Sequence, residues 1–326
     1  MKINAKVVVT QPIHNEGMKM LNENIENVVV APDTSIETIG KLLDENVKGV
    51  VVRYNPFPRD LIDKAPNLKV IARHGIGVEL IDVDYATKKG IYVVNTPAAA
   101  TKSVAEHTVI LMGALAKKLM IADDAVRNGK YSMKSKLGCT DLENKTVGII
   151  GAGKIGLEVA KKCKFGFDMK TLAYDPYLDD EVARENHIEK VSTLDELLGR
   201  SDYVSLHVPL TKQTKHMIGM NELRRMKKSA FLINCGRGAL VNEEDLIEAL
   251  KNGYIAGAAL DVLEKEPPDE ENPLMKMDNV VLTPHSASLT YESMVKMAIG
   301  AAQQLLQVLR GETPQFIVNK EICTES

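Results

Sequence analysis

The chain has 326 residues, of which 44% are hydrophobic and 26% charged, with a formal net charge of −3 at pH 7. This length exceeds what one hydrophobic core usually supports, so we expect two domains in an ordinary globular protein. The small negative charge argues against the basic surface of a nucleic-acid-binding protein. No run approaches the ~20 apolar residues of a membrane span.

The cysteines indicate a reducing compartment. Cys139, Cys163, Cys235 and Cys323 form neither a C-x-x-C pair nor a Cys/His cluster, so we expect free thiols and no bound metal. Residues 1–10 contain no long apolar segment, so no secretory signal is expected. The composition therefore predicts a cytoplasmic protein with no membrane or nucleic-acid partner.

The first hundred residues alternate β-branched runs with helical segments. Strands are predicted at 6–9, 28–30, 49–52, 69–72 and 91–94, with helices through 18–21 and over 35–43. Strands that alternate with helices are typical of a parallel sheet covered by helices. The opening strand of this sheet is not followed by G-x-G-x-x-G, so this half is not the predicted nucleotide domain.

A long apolar helix follows. Ser103 and Glu106 have the spacing of a capping box, which predicts a helix from Val104 to about Leu119. Its apolar residues lie on nearly all sides, so the helix is buried between layers or against another subunit. This helix leads us to expect a homodimer formed through the second domain.

A glycine-rich turn then lies between a strand and a helix. Gly151, Gly153 and Gly156 have G-x-G-x-x-G spacing after the predicted strand 146–150. In a dinucleotide fold the first glycine permits the tight turn, the second lets backbone approach a pyrophosphate, and the third lets helix pack on strand. The helix N-terminus adds free N–H groups and a positive dipole end. An ordinary βα turn is the alternative interpretation.

Asp175 ends the next predicted strand, 171–174. An acid about 20 residues after the glycines is placed to accept hydrogen bonds from a ribose 2′-OH. It favours NAD over NADP, because a 2′-phosphate would meet like charge. The alternative is a turn residue before Pro176.

Further strands are predicted at 203–206, 230–234, 256–260 and 280–282, with a weak one near Val191. Thr290 is predicted to cap a helix that ends before Gly311, and the chain after 291 is expected to return to the first domain. The predicted domains are therefore 1–102, 103–288 and a closing segment, 289–326, of the first.

Polar residues follow three of these strands. Arg237, Glu266 and His285 lie in the segments after 230–234, 256–260 and 280–282. Because the carboxyl ends of parallel strands line one crevice, the three side chains are expected to converge. Arg suits a carboxylate ligand, His suits proton transfer near neutrality, and a carboxylate orients the His. Taken singly, each is more often a surface or turn residue, and it is the three together that indicate a site.

Motifs along nearly the whole chain resemble those of the D-isomer-specific 2-hydroxyacid dehydrogenases, and within that family the phosphoglycerate dehydrogenase group. The matching segments are Arg73–Gly77, Asn95–Pro97, Gly151–Gly156, His207–Leu210, Asn234–Gly238, Asp261–Pro267 and Pro284–His285. The resemblance implies two doubly wound parallel-sheet α/β domains: a Rossmann NAD domain and a flavodoxin-like substrate domain. It also implies hydride transfer between NAD(H) and C2 of a small 2-oxo or 2-hydroxy acid.

The resemblance implies roles for individual residues. His285 would be the proton donor, Glu266 its partner, and Arg237 the group on the substrate carboxylate and carbonyl. NAD would contact Gly151, Gly153, Lys154, Ile155, Gly156, Asp175, His207, Val208, Pro209, Cys235, Gly236 and Asp261, the last through the nicotinamide carboxamide. Substrate would contact the backbone of Gly75, Ile76 and Gly77, and the side chains of Arg53 and Arg73, which match cations that bind phosphoglycerate.

Some positions depart from the family pattern. Glu79-Leu80 stands where Asp-Asn is usual, and Ala100 where the phosphoglycerate enzymes often place Asn. The pair 3-phosphoglycerate/phosphohydroxypyruvate is the leading substrate expectation, with hydroxypyruvate or glyoxylate as the alternative. A non-enzymatic NAD(H)-sensing protein, like corepressors that resemble these enzymes, and a formate- or phosphite-oxidising relative are further alternatives. No regulatory domain is expected after residue 326.

Overall fold

A computed structural model describes residues 1–323. The chain forms two compact units, one of Met1–Ala100 with the segment from Leu289, the other of Thr101–Ser288. Within residues 1–323 no helix is long and apolar enough to cross a bilayer, and no group of three or more His, Cys, Asp or Glu is arranged to hold a metal. The four cysteines are free thiols; the cytoplasmic location stays a prediction.

The first unit contains a five-stranded parallel sheet. Its strands are β1 (Ile3–Val9), β2 (Ile25–Val30), β3 (Val47–Val52), β4 (Val70–Arg73) and β5 (Tyr92–Val94), and its first helices are α1 (Asn15–Asn24), α2 (Ile36–Leu42), α3 (Arg59–Ile62) and α4 (Val83–Lys88). The order β2-β1-β3-β4-β5 is the flavodoxin-like order. Alternate residues of a strand point to opposite faces of the sheet. Val8 and Val50 belong to the apolar cluster on one face, and Val7 and Val51 belong to the cluster on the other. Both sheet faces are therefore covered, which explains the continuous valine runs.

The second unit contains a seven-stranded parallel sheet. Its strands are β6 (Thr146–Ile150), β7 (Lys170–Tyr174), β8 (Glu189–Lys190), β9 (Tyr203–Leu206), β10 (Phe231–Asn234), β11 (Gly257–Leu260) and β12 (Val280–Leu282). Its helices are α5 (Thr101–Ala116), α6 (Leu119–Arg127), α7 (Lys154–Phe167), α8 (Asp180–Glu185), α9 (Leu194–Arg200), α10 (Met220–Arg225) and α11 (Glu243–Lys251). The order β12-β11-β10-β9-β6-β7-β8 changes direction at β6. This is the Rossmann order, whose ligand crevice lies at that switch point, and it confirms the predicted fold class.

The helix from residue 291 belongs to the first unit. This helix, α12 (Tyr291–Leu309), begins as predicted at Thr290, whose Oγ1 accepts the Ser293 N–H at 3.2 Å. Its small and apolar face, including Ala298 and Leu305, is buried in the cluster of Val7 and Val51. The end of the chain thus covers a sheet face built from its beginning.

The predicted start of the long apolar helix is wrong. Helix α5 begins at Thr101, so Ser103 lies inside it and does not cap it. Because the backbone is already helical from Thr101, the N–H groups of Ala105 and Glu106, which a cap at Ser103 would serve, have the carbonyls of residues 101 and 102 one turn before them. The helix also ends earlier than predicted, at Ala116, because Lys118 adopts the left-handed conformation (φ 48°).

Candidate active site

The glycine turn joins β6 to the N-terminus of α7. Gly151 has φ 92°, which disfavours other residues, and a Cβ there would lie 2.7 Å from Val208 Cγ1. A Cβ on Gly156 would overlap the Gly151 carbonyl oxygen, whereas one on Gly153 would meet no protein atom within 4 Å. Protein atoms therefore pack tightly against Gly151 and Gly156, whereas the space beside Gly153 is free for a ligand. An open backbone at a helix N-terminus fits a dinucleotide pyrophosphate.

Asp175 holds this turn in place. One carboxylate oxygen accepts the Ala152 N–H at 2.9 Å and the other accepts the Tyr177 N–H at 2.8 Å. The side chain therefore serves the turn before Pro176 and the glycine loop together. Each oxygen keeps a further lone pair, and contact with a ribose stays a prediction.

Two predicted cofactor residues are partly buried and uncharged near neutral pH. His207 Nε2 lies 2.9 Å from Ser205 Oγ, and desolvation lowers the pKa of the imidazole to about 4. Burial likewise raises the pKa of the Cys235 thiol to about 12. Neither side chain therefore supplies a charge or a thiolate near neutral pH. We infer that both shape the wall of the predicted cofactor site.

The loop after β10 presents Arg237. Buried Asn234 accepts the Gly236 N–H at 3.0 Å and donates to the Arg237 carbonyl at 2.8 Å, which folds the loop over the strand end. The guanidinium Nη1 donates to the Gly236 carbonyl at 2.7 Å. A Cβ on Gly238 would overlap the Leu263 carbonyl, so glycine lets this loop approach the loop that carries Glu266. Asn234 and Gly238 are not among the predicted site residues, although both lie in the Asn-Cys-Gly-Arg-Gly motif.

Glu266 and His285 form a direct pair. Oε2 of Glu266 lies 2.8 Å from His285 Nδ1, and Oε1 accepts the Leu263 N–H at 3.1 Å. Burial opposes ionisation of Glu266, but the His285 hydrogen bond and charge, the Leu263 N–H and the charge of Arg237 together hold the pKa of Glu266 below its ordinary value. Glu266 is therefore an anion near neutrality. It occupies Nδ1 and leaves Nε2 as the ring nitrogen for proton exchange.

Asp261, which directly follows β11, is almost completely buried, with its side chain 1% exposed. Its carboxylate accepts the Thr283 hydroxyl at 2.6 Å and the N–H groups of Ser286 and Ala287 at 2.8 and 2.9 Å. Both oxygens are thus directed at the segment that carries His285. Contact of Asp261 with a nicotinamide stays a prediction.

In the first unit, Arg73 supports the loop Gly75–Gly77. Its Nε donates to the Gly77 carbonyl at 2.7 Å and its Nη1 to the His74 carbonyl at 2.5 Å. Arg53, at the end of the neighbouring strand, donates from Nη1 to the Pro12 carbonyl at 2.8 Å, and its guanidinium carbon lies 4.8 Å from the Tyr54 ring centroid. Arg73 therefore binds carbonyl groups of the Gly75–Gly77 loop and of His74, whereas Arg53 binds a carbonyl outside that loop and lies against an aromatic ring.

His74 is buried between these arginines. Burial, reinforced by the charges of Arg53 and Arg73, lowers the pKa of its imidazole to about 4. The ring is therefore neutral at physiological pH, so the positive charge near this loop comes from the arginines.

Within each unit the structure thus brings its predicted residues together. Arg237, Glu266 and His285 follow the adjacent strands β10, β11 and β12 of the second unit. Arg53 follows β3 and Arg73 ends the adjacent strand β4 of the first. His107 and Thr283, which the sequence did not single out, contact Asp261 or its loop; a His on an apolar helix carries no distinguishing local signal.

Comparison with known proteins identifies the family. Residues 109–287 match the family model described as D-isomer specific 2-hydroxyacid dehydrogenase, NAD binding domain. The chain is 44% identical to a D-3-phosphoglycerate dehydrogenase of Methanocaldococcus jannaschii over 96% of its own length, but spans only 59% of that relative. It is 42% identical to a glyoxylate reductase of Thermofilum pendens, covering 97% of this chain and 95% of the relative.

A solved structure of similar fold is a glyoxylate reductase from Paecilomyes thermophila. It superposes with a TM-score of 0.87 at 29% identity, and the match covers 98% of this chain and 99% of that one. The likeness in fold thus extends over both units. Together, the family model, the relatives and the fold show that the chain belongs to the D-isomer specific 2-hydroxyacid dehydrogenases, a family of NAD-dependent oxidoreductases.

Proposed function

We propose that the protein interconverts a 2-oxo acid and its 2-hydroxy acid with NAD(H), and that its substrate pair is phosphohydroxypyruvate and 3-phosphoglycerate. The observation that carries the reaction type is the 2.8 Å Glu266–His285 pair, with Arg237 on the adjacent strand end of the same unit. This set supplies a proton carrier, the anion that orients it and a cation for a carboxylate.

The second unit has residues that fit the cofactor. The glycine turn and the start of α7 would hold the pyrophosphate, Asp175 the ribose, and Asp261 the nicotinamide side of the site. The residues His207–Pro209, Cys235 and Gly236 would line the same site. When bound, the nicotinamide supplies or accepts the hydride at C2.

The protein's own residues carry the proton and the substrate charge. In reduction, His285 Nε2 donates a proton to the carbonyl oxygen, and in oxidation it takes that proton back. Glu266 holds the ring through Nδ1 in both directions. Arg237 binds the substrate carboxylate and orients the carbonyl.

Two arginines support a phosphorylated substrate. Arg53 follows β3 and Arg73 ends the adjacent strand β4, and a dianionic phosphate there would balance their charge. A D-3-phosphoglycerate dehydrogenase is among the relatives. Relatives named glyoxylate reductase make glyoxylate or hydroxypyruvate the second candidate.

A substrate panel tests these proposals. NADH and NADPH oxidation are measured with phosphohydroxypyruvate, hydroxypyruvate, glyoxylate and pyruvate. The highest kcat/KM is expected for phosphohydroxypyruvate with NADH. A preference for glyoxylate would support the second candidate, and tight NADH binding without turnover of any 2-oxo acid would support an NAD(H)-sensing role instead.

The first specific prediction separates the two arginines. Arg53→Ala is expected to raise KM for phosphohydroxypyruvate at least about tenfold more than KM for hydroxypyruvate, because a lost charge-assisted contact is worth more than ~1.4 kcal/mol. Arg73→Ala is expected to impair both substrates, since Arg73 holds the Gly75–Gly77 loop. Equal effects of Arg53→Ala on both substrates would remove the phosphate from the proposal.

We further propose that the protein is a homodimer through the second unit. Large apolar side chains are exposed on α5, α6 and the segment that follows: Ile110, Leu119, Met120, Val126 and Tyr131. Large apolar side chains exposed on consecutive elements are more often found at a subunit interface than on a surface that stays in water.

The prediction from this surface concerns mass in solution. Light scattering is expected to give twice the chain mass of 35.8 kDa for the wild type. It should give a monomer for Ile110→Asp with Val126→Asp, because two charges would be buried without partners. Met275→Asp, at an exposed apolar residue elsewhere on the second unit, is the control and should stay dimeric. A monomeric wild type at micromolar concentration would contradict the proposal.

A further inference from the structure

The segment that carries His285 has a strained backbone. His285 has φ 52°, in the left-handed region that residues other than glycine seldom adopt. Such a conformation persists only where surrounding contacts fix it. The direction of the imidazole therefore depends on what holds residues 283–287.

Asp261 holds this segment from both its backbone and its side chain. Its carbonyl accepts the His285 N–H at 2.7 Å, and its carboxylate accepts the N–H groups of Ser286 and Ala287 at 2.8 and 2.9 Å. Three consecutive N–H groups thus end on one residue. The position of His285 follows from the position of the Asp261 carboxylate.

Two further side chains fix that carboxylate. Thr283 Oγ1 donates to Asp261 Oδ1 at 2.6 Å, and His107 Nε2, on α5, lies 3.0 Å from the same Thr283 oxygen. A hydroxyl has one proton, and Thr283 gives it to Asp261. The Thr283 oxygen must therefore accept from His107, which requires the tautomer protonated at Nε2.

We propose that His107 and Thr283 are positioning residues for His285, acting through Asp261. This inference rests on the proposed dehydrogenase function. The hydrogen bonds run in one direction, from His107 to Thr283 to Asp261. They link α5 to the end of β12, so a residue 178 positions earlier in the chain helps to orient the proton donor. All members lie within the second unit.

Two rival roles make different predictions. If the chain of hydrogen bonds only stabilises the fold, removing it lowers the melting temperature but leaves kcat. If it only places Asp261 against the nicotinamide, removing it weakens NADH binding. A positioning role instead lowers kcat, with the NADH dissociation constant and KM little changed.

The experiment compares isosteric and conservative variants. Thr283→Val removes the hydroxyl at constant shape, whereas Thr283→Ser keeps it. His107→Phe removes the donor, whereas His107→Gln keeps an N–H. We expect Thr283→Val and His107→Phe to lower kcat about tenfold or more, in the range of outer-shell positioning groups, and the Ser and Gln variants to recover most of it. Stopped-flow reduction of the best 2-oxo acid and NADH fluorescence titration give the values.

Two further measurements show whether the effect passes through His285. In His285→Ala protein, adding Thr283→Val should cause no further loss of kcat. Amide exchange at Ser286 and Ala287 should be faster in Thr283→Val than in Thr283→Ser, and this readout does not depend on turnover. If Thr283→Val does not fold, His107→Phe carries the same comparison.

The proposal is overturned if the Val and Ser variants have equal kcat, if the loss of kcat is undiminished in His285→Ala, or if amide exchange at Ser286 and Ala287 is unchanged. Failure of the wild type to turn over any 2-oxo acid would instead overturn the proposed function, and this inference with it.

Discussion

His285→Ala is expected to lower kcat/KM for 2-oxo acid reduction by about 10²–10⁴-fold, the usual contribution of general acid catalysis. NADH affinity should stay nearly unchanged, because the ring is half-exposed and its contacts lie within its own loop and with Glu266. A loss of NADH binding as large as the loss of rate would show that His285 serves the cofactor and not the proton.

Glu266→Gln tests the same pair through its pH dependence. Because the pKa of Glu266 is held below its ordinary value, the contacts of its carboxylate stabilise the protein above that ordinary value, and this stabilisation is lost as pH falls through the lowered one. Above it, the carboxylate lies 2.8 Å from His285 Nδ1 and fixes the orientation of the ring through that nitrogen.

Removing that charge is therefore expected to lower the melting temperature at neutral pH, but not below the lowered pKa of Glu266, where the wild-type carboxyl is protonated as well. The measurement is the melting temperature of wild type and Glu266→Gln against pH at the same ionic strength. A difference between the two proteins that is the same at acidic and at neutral pH would mean that the charge of Glu266 does not stabilise this loop.

Alanine substitutions at two glycines of the nucleotide turn are expected to have different effects, one on stability and the other on NADH binding. A Cβ on Gly156 would overlap the Gly151 carbonyl and lie 2.9 Å from Ile149 Cγ2, so Gly156→Ala should cost about 1–3 kcal/mol of stability. A Cβ on Gly153 meets no protein atom within 4 Å. Gly153→Ala should therefore leave the melting temperature unchanged but weaken NADH binding about tenfold or more, because it occupies the open side of the turn.

Gly166→Ala is the matched control, since a Cβ there also meets nothing within 4 Å and the residue lies on the same helix, α7. It should change neither property, or raise stability by up to about 1 kcal/mol. Thermal unfolding and NADH titration of the three variants provide the comparison. Unaltered NADH affinity in Gly153→Ala would show that the pyrophosphate does not approach this backbone.

Local patterns in the sequence determined the elements and the fold class. Strands β9 and β12 lie where their short β-branched runs predicted, and Thr290 caps α12. The strands follow from the periodicity of their side chains, and the helix cap follows from a hydroxyl residue just before the helix. Both signals are carried by residues that are close together in the sequence. The glycine spacing and the acid that follows identified the nucleotide fold in the same way.

Helix α5 marks the limit of such patterns. Ser103 and Glu106 match a capping box, yet the helix already begins at Thr101. A cap serves only the first N–H groups of a helix, because later ones bind carbonyls one turn earlier. Which residue comes first depends on the backbone conformation of the preceding segment, which a four-residue pattern does not contain.

The tertiary structure alone decided what each charged group faces. Arg73 and Asp261 were assigned to ligands by motif, but one holds the carbonyls of the Gly75–Gly77 loop and the other the N–H groups beside His285. His107 reaches Thr283 because α5 packs against β11 and β12. A hydrogen bond depends on the distance between two atoms that folding brings together. Residue type and spacing can therefore indicate which residues belong to the site, but they do not show which atoms those residues bind.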